Sequence, residues 1–149
     1  MAESVQFDLP NQDGEHVSNE DLAGKRYVMF FYPRAMTPGC TTESCDFRDS
    51  YGEFAEAGYQ VIGVSPDPPD RNRKFKEKEG LNFDLLSDED HELAESLGAY
   101  GEKKLYGKLS QGLIRSTFVV DETGQVEKAY RNVKATGHVA RVKQDLLGA

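Results

Sequence analysis

Residues 30–49 read FFYPRAMTPGCTTESCDFRD, a segment in which an apolar run passes directly into a helical pattern. The run spans 27–32 without interruption, which is typical of a strand buried on both faces. After it, Thr37 is a suitable N-cap and Pro38 suits the first position of a helix. The segment therefore predicts a buried strand followed by a helix over 38–56.

Strand and helix patterns alternate along the rest of the chain. The further predicted strands are 59–64, 83–86, 117–120 and 125–130, and the further predicted helices are 70–79, 89–97 and 138–147. An early hairpin is expected near Asn11 to Gly14, and a solvated loop near the lysines of 103–108. Alternating strands and helices predict an α/β fold, with a central mixed β-sheet flanked by helices and an N-terminal β-hairpin.

The bulk composition limits the classes of protein and partner. The 149 residues carry a formal net charge of -8 and show no repeat or linker, so we expect one domain over residues 1–149. The acidic balance argues against a nucleic-acid backbone or an anionic membrane as a partner. No apolar run approaches the ~18 residues that a membrane span needs, and the first residues show no secretory or transit signal. The expected location is therefore the cytoplasm.

Two cysteines lie in the predicted helix over 38–56, too few for a disulfide scaffold. Cys40 falls in the first turn, among backbone N–H groups that have no partner within the helix. Those donors and the helix dipole favour an anion, so a thiol there is expected to be partly ionised at neutral pH and to act as a nucleophile. The alternative is that Cys40 and Cys45 are both inert small residues.

A metal site is disfavoured by the distribution of possible ligands. Three histidines, His16, His91 and His138, are scattered singly along the chain, and none stands at ligand spacing from the cysteines. We expect all three histidines to lie at the surface.

The spacing of Cys40 and Cys45 prevents a disulfide while the helix is intact. Helical residues five apart differ by ~140° and by ~7.5 Å of rise, which places the two Cα atoms ~8.6 Å apart. A disulfide requires Cα atoms less than ~7 Å apart. Cys40 shares the apolar side of the helix with Phe47, whereas Cys45 shares the more polar side with Arg48. We therefore predict that the start of the helix must unwind before the two sulfurs can bond.

Residues 30–49 resemble the active-site segment of the peroxiredoxins, and more narrowly of the bacterioferritin comigratory protein group, also called peroxiredoxin Q. The family motif of Pro, three residues, Thr or Ser, two residues and Cys is matched by Pro33, Thr37 and Cys40. The second cysteine, Cys45, is the hallmark of that group. Further matching stretches are FDLPNQDGE near the start, VIGVSPD at 61–67, YGEKKLYGK at 100–108 and RSTFVVDETG at 115–124. The resemblance covers nearly the whole chain and implies a thioredoxin-like fold.

The resemblance implies roles for further residues of the site. Arg115 matches the active-site arginine, which stabilises the thiolate and polarises the peroxide; its alternative is a charged residue at a strand edge. Thr37 is implied to hydrogen-bond the peroxide, a role that competes with capping the helix. Pro33 is implied to shield the pocket, and its alternative is to end the strand. Glu43 lies on the same helical face as Cys40 and either orients Arg115 or is a solvated carboxylate.

The resemblance also implies an activity and partners. It implies a thiol-dependent peroxidase that reduces hydrogen peroxide and organic hydroperoxides, with Cys40 as the peroxidatic residue and Cys45 as the resolving residue. Their intramolecular disulfide would be reduced by thioredoxin or a similar dithiol. No metal, flavin or haem is needed, because sulfur carries the chemistry. The expected state is a monomer, with a weak dimer left open. Met36 and Tyr100 depart from the family pattern and are expected to alter pocket shape.

Three other functions remain open from the sequence. A thioredoxin-like disulfide reductase would share the predicted fold, but the chain lacks a Cys-x-x-Cys pair and has no proline after Pro69. A non-catalytic metal carrier would need closer cysteines and a matching histidine. A redox-regulated holdase would expose apolar surface on oxidation.

Overall fold

The computed structural model describes residues 4–105 and 108–148 of the chain. Its strands are β1 (Asp8–Pro10), β2 (His16–Ser18), β3 (Arg26–Phe31), β4 (Tyr59–Ser65), β5 (Asp84–Ser87), β6 (Tyr100–Leu105), β7 (Lys108–Leu113), β8 (Ser116–Val120) and β9 (Val126–Tyr130). Its helices are α1 (Pro38–Glu56), α2 (Pro69–Glu79), α3 (Glu92–Ser96) and α4 (His138–Leu147). The predicted helix over 38–56 is confirmed, whereas α3 is shorter than the helix predicted over 89–97.

Five strands form the central sheet, in the order β5-β4-β3-β8-β9. Strands β3, β4 and β5 run parallel, and β8 and β9 are antiparallel to their neighbours, so the predicted mixed sheet is confirmed. At the carboxyl end of β3, Phe31 pairs with Ser116, the first residue of β8. The residue that precedes β8, Arg115, therefore lies at the same edge of the sheet as the loop that follows β3.

Both faces of the sheet are covered, because alternate residues of β3 belong to two different hydrophobic clusters. Val28 and Phe30 pack with residues of α1, α2 and α4, and this cluster includes Cys40. Met29 and Phe31 pack with residues of α3 and of the N-terminal segment. All four of these β3 side chains are fully buried. The unbroken apolar run of the sequence is thus explained by a strand with no solvent-facing side.

Two hairpins lie outside the central sheet. Strands β1 and β2 form the predicted N-terminal hairpin. Strands β6 and β7 form a second one, so the prediction of a solvated loop near 103–108 is wrong for its described part; residues 106 and 107 lie outside the described residues. The sequence of this hairpin is too polar to show the apolar alternation by which strands are recognised. Within residues 4–105 and 108–148, no helix combines the length and apolar character that crossing a bilayer requires.

Candidate active site

The site lies where the chain leaves β3 and enters α1. Cys40 is the third residue of α1 and is fully buried, and the helix begins with Pro38 after Thr37, as predicted. The N–H groups of Gly39 and Cys40 precede the first intrahelical bond, which runs from the N–H of Thr41 to the carbonyl of Thr37 at 2.9 Å. The sulfur of Cys40 is therefore buried beside helix-end N–H groups that have no partner within the helix.

Thr37 occupies the N-cap position, but its side chain does not cap the helix. Its hydroxyl instead donates to the carbonyl oxygen of Arg34 at 2.8 Å. The lone pairs of that hydroxyl oxygen remain available to accept a hydrogen bond from a molecule at the start of α1. Pro33 is half-buried in the same loop, directly after Tyr32.

Arg115 connects the sulfur of Cys40 to a buried carboxylate. Its Nη2 donates to Sγ of Cys40 at 3.2 Å, and its Nη1 donates to Oε1 of Glu43 at 2.7 Å. The Glu43 side chain is completely buried, and only 15% of the Arg115 side chain is exposed. Glu43 is therefore not a solvated helix carboxylate, and the planar guanidinium is held in one orientation by two partners.

The electrostatics of this group follow from its burial. Removal from water raises the pKa of Glu43 to about 7, and Arg115 opposes that rise through its charge and its hydrogen bond. Oε2 of Glu43 is buried without a hydrogen-bond partner among the described residues. One guanidinium thus faces two acidic groups, the carboxyl of Glu43 and the thiol of Cys40, in a space of low dielectric.

Two side chains hold the loop that carries Thr37: Asp67, which precedes α2, and Arg71, which lies in α2. We call this pair the Asp67–Arg71 clamp. Oδ2 of Asp67 accepts from the backbone N–H of Ala35 at 2.7 Å, and Nη2 of Arg71 donates to the carbonyl of Ala35 at 3.3 Å. Nε of Arg71 lies 3.0 Å from Oδ1 of Asp67, an ion pair without hydrogen-bond geometry. Both backbone groups of Ala35 are therefore fixed, three residues before the start of α1.

Cys45 occupies a different environment on the same helix. It is half-buried, and its thiol lies 3.7 Å from Oε1 of Glu79 at the end of α2. Both cysteines are free thiols. Among the described residues, the His, Cys, Asp and Glu side chains form no group of three that could hold a metal ion.

Comparisons with known proteins identify the family. A model of the AhpC/TSA family matches residues 2–129. Peroxiredoxin Bcp of Bacillus subtilis is 49% identical over 140 residues, which cover 94% of this chain and 89% of that protein. Peroxiredoxin Bcp of Escherichia coli is 46% identical over 132 residues, which cover 89% of this chain and 85% of that protein. The chain belongs to the peroxiredoxin family.

A solved structure places this peroxiredoxin in the bacterioferritin comigratory protein group. The bacterioferritin comigratory protein of Xanthomonas campestris superposes with a TM-score of 0.89 at 38% identity, covering 95% of this chain and 90% of that chain. The predicted thioredoxin-like fold and the predicted family are therefore confirmed. As a member of this family, the protein is a thiol-dependent peroxidase, and its chain contains two cysteines, Cys40 and Cys45.

The segment between β9 and α4, together with the first residue of α4, contacts Arg115 and β8. The backbone N–H of Val133 donates to the carbonyl of Arg115 at 3.0 Å. At the start of α4, Nε2 of His138 lies 2.7 Å from Oγ1 of Thr117, and His138 is only 5% exposed. Burial, with the charges of Arg115 and Arg141, lowers the pKa of His138 to about 4, so the ring is neutral at pH 7.

The burial of His138 corrects the sequence-based expectation that all three histidines lie at the surface. His138 directly precedes the apolar stripe of α4, and a polar residue at that position carries no signal of its burial. The Asp67–Arg71 clamp was also missed. Its partner is the backbone of Ala35, 32 residues before Asp67, and no side-chain pattern reports a contact with a backbone group.

Proposed function

We propose that this peroxiredoxin reduces hydroperoxides through the thiolate of Cys40 and closes a disulfide between Cys40 and Cys45. The observation that carries the proposal is the 3.2 Å hydrogen bond from Arg115 to the sulfur of Cys40 at the start of α1. A cationic donor and unpaired helix-end N–H groups both stabilise a thiolate, which is the nucleophilic form of cysteine.

In the first step, the Cys40 thiolate attacks one oxygen of the peroxide. An S–O bond forms, the O–O bond breaks, and the second oxygen leaves as water or an alcohol after it takes up a proton. Arg115 and the backbone N–H of Cys40 would stabilise the charge that develops on the oxygens. Thr37 would accept a hydrogen bond from the peroxide, and Pro33 would shield the reacting atoms from solvent. Cys40 is left as a sulfenic acid.

Glu43 acts in this step by positioning Arg115. Because Nη1 is held by Oε1 of Glu43, Nη2 of the same planar group is directed at the sulfur of Cys40. A carboxylate behind the guanidinium therefore fixes both the place and the direction of the donor.

In the second step, α1 opens at its start and Cys45 meets the sulfenic acid. Opening is required because helix geometry holds the two Cα atoms ~8.6 Å apart, beyond the ~7 Å reach of a disulfide. The thiolate of Cys45 forms the S–S bond, the S–O bond breaks, and the hydroxyl leaves as water with one proton.

The substrates and partners follow from this chemistry. The related protein of Xanthomonas campestris has alkyl peroxide reduction activity, which supports organic hydroperoxides as substrates alongside hydrogen peroxide. A disulfide formed within one helix needs an external dithiol to reduce it, and we propose thioredoxin for this role, with the protein acting as a monomer in the reducing cytoplasm.

A comparison of two serine variants tests the proposal. Cys40→Ser should abolish peroxide consumption in an assay coupled to thioredoxin and its reductase. Cys45→Ser should consume one equivalent of peroxide in a single turnover, leave a sulfenic acid on Cys40, and fail to recycle with thioredoxin. Full coupled activity in Cys40→Ser would overturn the proposed role of Cys40, and full coupled activity in Cys45→Ser would overturn the disulfide.

A further inference from the structure

The two thiols of this protein face opposite charges. The Cys40 sulfur accepts from the guanidinium of Arg115 at 3.2 Å, whereas the Cys45 thiol donates to the carboxylate of Glu79 at 3.7 Å. Glu79 is the last residue of α2, and it is half-buried against α1. The two sulfurs lie on one helix, so the difference comes from what other elements bring to each side of it.

The contact between Cys45 and Glu79 depends on the docking of α1 onto the end of α2. One turn of helix after Cys45, Nη1 of Arg48 donates to the main-chain carbonyl of Glu79 at 2.5 Å. Nδ2 of Asn82 donates in turn to the carbonyl of Arg48 at 3.4 Å. These bonds use main-chain oxygens, so the position of α1 against this turn does not depend on the carboxylate of Glu79.

The surroundings of Cys45, burial first among them, favour its protonated form. Burial raises the pKa of the Cys45 thiol; among the charged groups, Arg48 lowers it, and Glu79 and Asp49 raise it. Arg48 and Asp49 belong to α1 itself, and Asp49 is exposed. Glu79 belongs to α2, so Cys45 moves away from Glu79 when α1 opens.

We propose that Glu79 is a positioning residue that holds the thiol of Cys45 protonated while α1 is intact, so that Cys45 becomes a nucleophile only after the helix opens. This inference rests on the proposed function of the two cysteines. In the closed protein, peroxide then meets a single reactive sulfur, that of Cys40. In the open protein, Cys45 is separated from Glu79, a larger fraction of its thiol gives up its proton to water, and the thiolate attacks the sulfenic acid, whose hydroxyl takes up a proton and leaves as water.

The reactivity of Cys45 in a single-cysteine protein tests this role. In the Cys40→Ser background, the rate of alkylation by iodoacetamide is measured from about pH 6 to about pH 9, a range that brackets ordinary thiol ionisation. Glu79→Gln should raise the rate at pH 7 by about threefold or more, and Glu79→Lys should raise it further, because a neighbouring like charge disfavours the thiolate and a cation favours it. The midpoint of the pH profile should move to lower pH in the same order.

The matched control is Glu77→Gln, which removes an exposed carboxylate from the same helix. Its profile should superpose on that of the Cys40→Ser parent. An unchanged midpoint in Glu79→Gln would overturn the inference. A rate that rises equally at every pH would also overturn it, because that result reports greater exposure of the sulfur rather than a change in its charge. No peroxide is used, so the outcome is independent of whether Cys40 proves to be the peroxidatic residue.

Discussion

Arg115 reaches the sulfur of Cys40 from 75 residues further along the chain, and its Nη2 donates to Sγ at 3.2 Å. The contact exists because β8 pairs with β3 and so brings the residue before β8 to the start of α1. A lysine at position 115 would keep the positive charge but lose the planar fork that serves Cys40 and Glu43 together. We expect Arg115→Lys to lower the second-order rate of Cys40 oxidation by about a hundredfold, as loss of one transition-state donor does.

Rapid-quench measurement of the loss of free thiol would give this rate. Arg26→Lys is the matched control, because Arg26 forms an exposed ion pair with Glu122 at 2.8 Å, away from the site. Its rate should equal that of the wild type. A rate for Arg115→Lys within twofold of the wild type would show that charge alone is sufficient and that the fork is dispensable.

Two buried groups make opposite contributions to the pH dependence of stability. The pKa of Glu43 is raised from 4.5 to about 7, so its contribution to the free energy of unfolding is lost as the pH rises through that window. The pKa of His138 is lowered from 6.5 to about 4, so its contribution is lost as the pH falls. Between pH 5 and pH 7 each change amounts to about 2 kcal/mol, and in the wild type the two cancel.

Single substitutions should separate the two contributions in urea unfolding at pH 5 and pH 7. When the pH is lowered from 7 to 5, the free energy of unfolding of Glu43→Gln should fall by about 2 kcal/mol relative to that of the wild type, because only the His138 contribution remains. The free energy of unfolding of His138→Gln should rise by about 2 kcal/mol relative to that of the wild type when the pH is lowered over the same range. If the free energy of unfolding of both variants changes between pH 5 and pH 7 as that of the wild type does, the assigned protonation states are wrong.

The clamp on Ala35 leads to a third prediction. Asp67→Asn removes the ion pair with Arg71 and weakens the acceptor for the N–H of Ala35, so the loop before α1 should be held less firmly. Because small displacements of reacting groups cost rate, we expect Cys40 to react with peroxide about tenfold more slowly. Asp70→Asn changes an exposed carboxylate of α2 and serves as the control. Equal rates in the two variants would mean that the clamp does not position the site.

Much of the site could be predicted from the sequence, because it depends on local features. The N-cap position of Thr37 and the inward direction of Cys40 follow from helix periodicity and end preferences within one segment. Arg115 is 75 residues from Cys40, and only the family motif assigned it to the site.

The features that the sequence did not show depend on contacts between distant elements. The thiol of Cys45 lies against Glu79, which is 34 residues away on another helix. The burial of His138 depends on its contact with Thr117 in β8. The β6–β7 hairpin pairs two polar segments whose sequences resemble a loop. In each case the environment of the residue is set by tertiary packing, which periodicity along one segment does not report.

Two glycines of α1, Gly39 and Gly52, differ in the space between their backbone and neighbouring side chains. A Cβ at Gly39 would lie 3.2 Å from Nη2 of Arg115, whereas a Cβ at Gly52 would meet no atom within 4 Å. We expect Gly39→Ala to displace the guanidinium from Cys40 and slow peroxide reduction by about tenfold. Gly52→Ala should leave the rate unchanged and raise the free energy of unfolding by about 0.5 to 1 kcal/mol, because alanine favours the helix. A wild-type rate in Gly39→Ala would show that Arg115 can shift and still keep its hydrogen bond to the sulfur of Cys40.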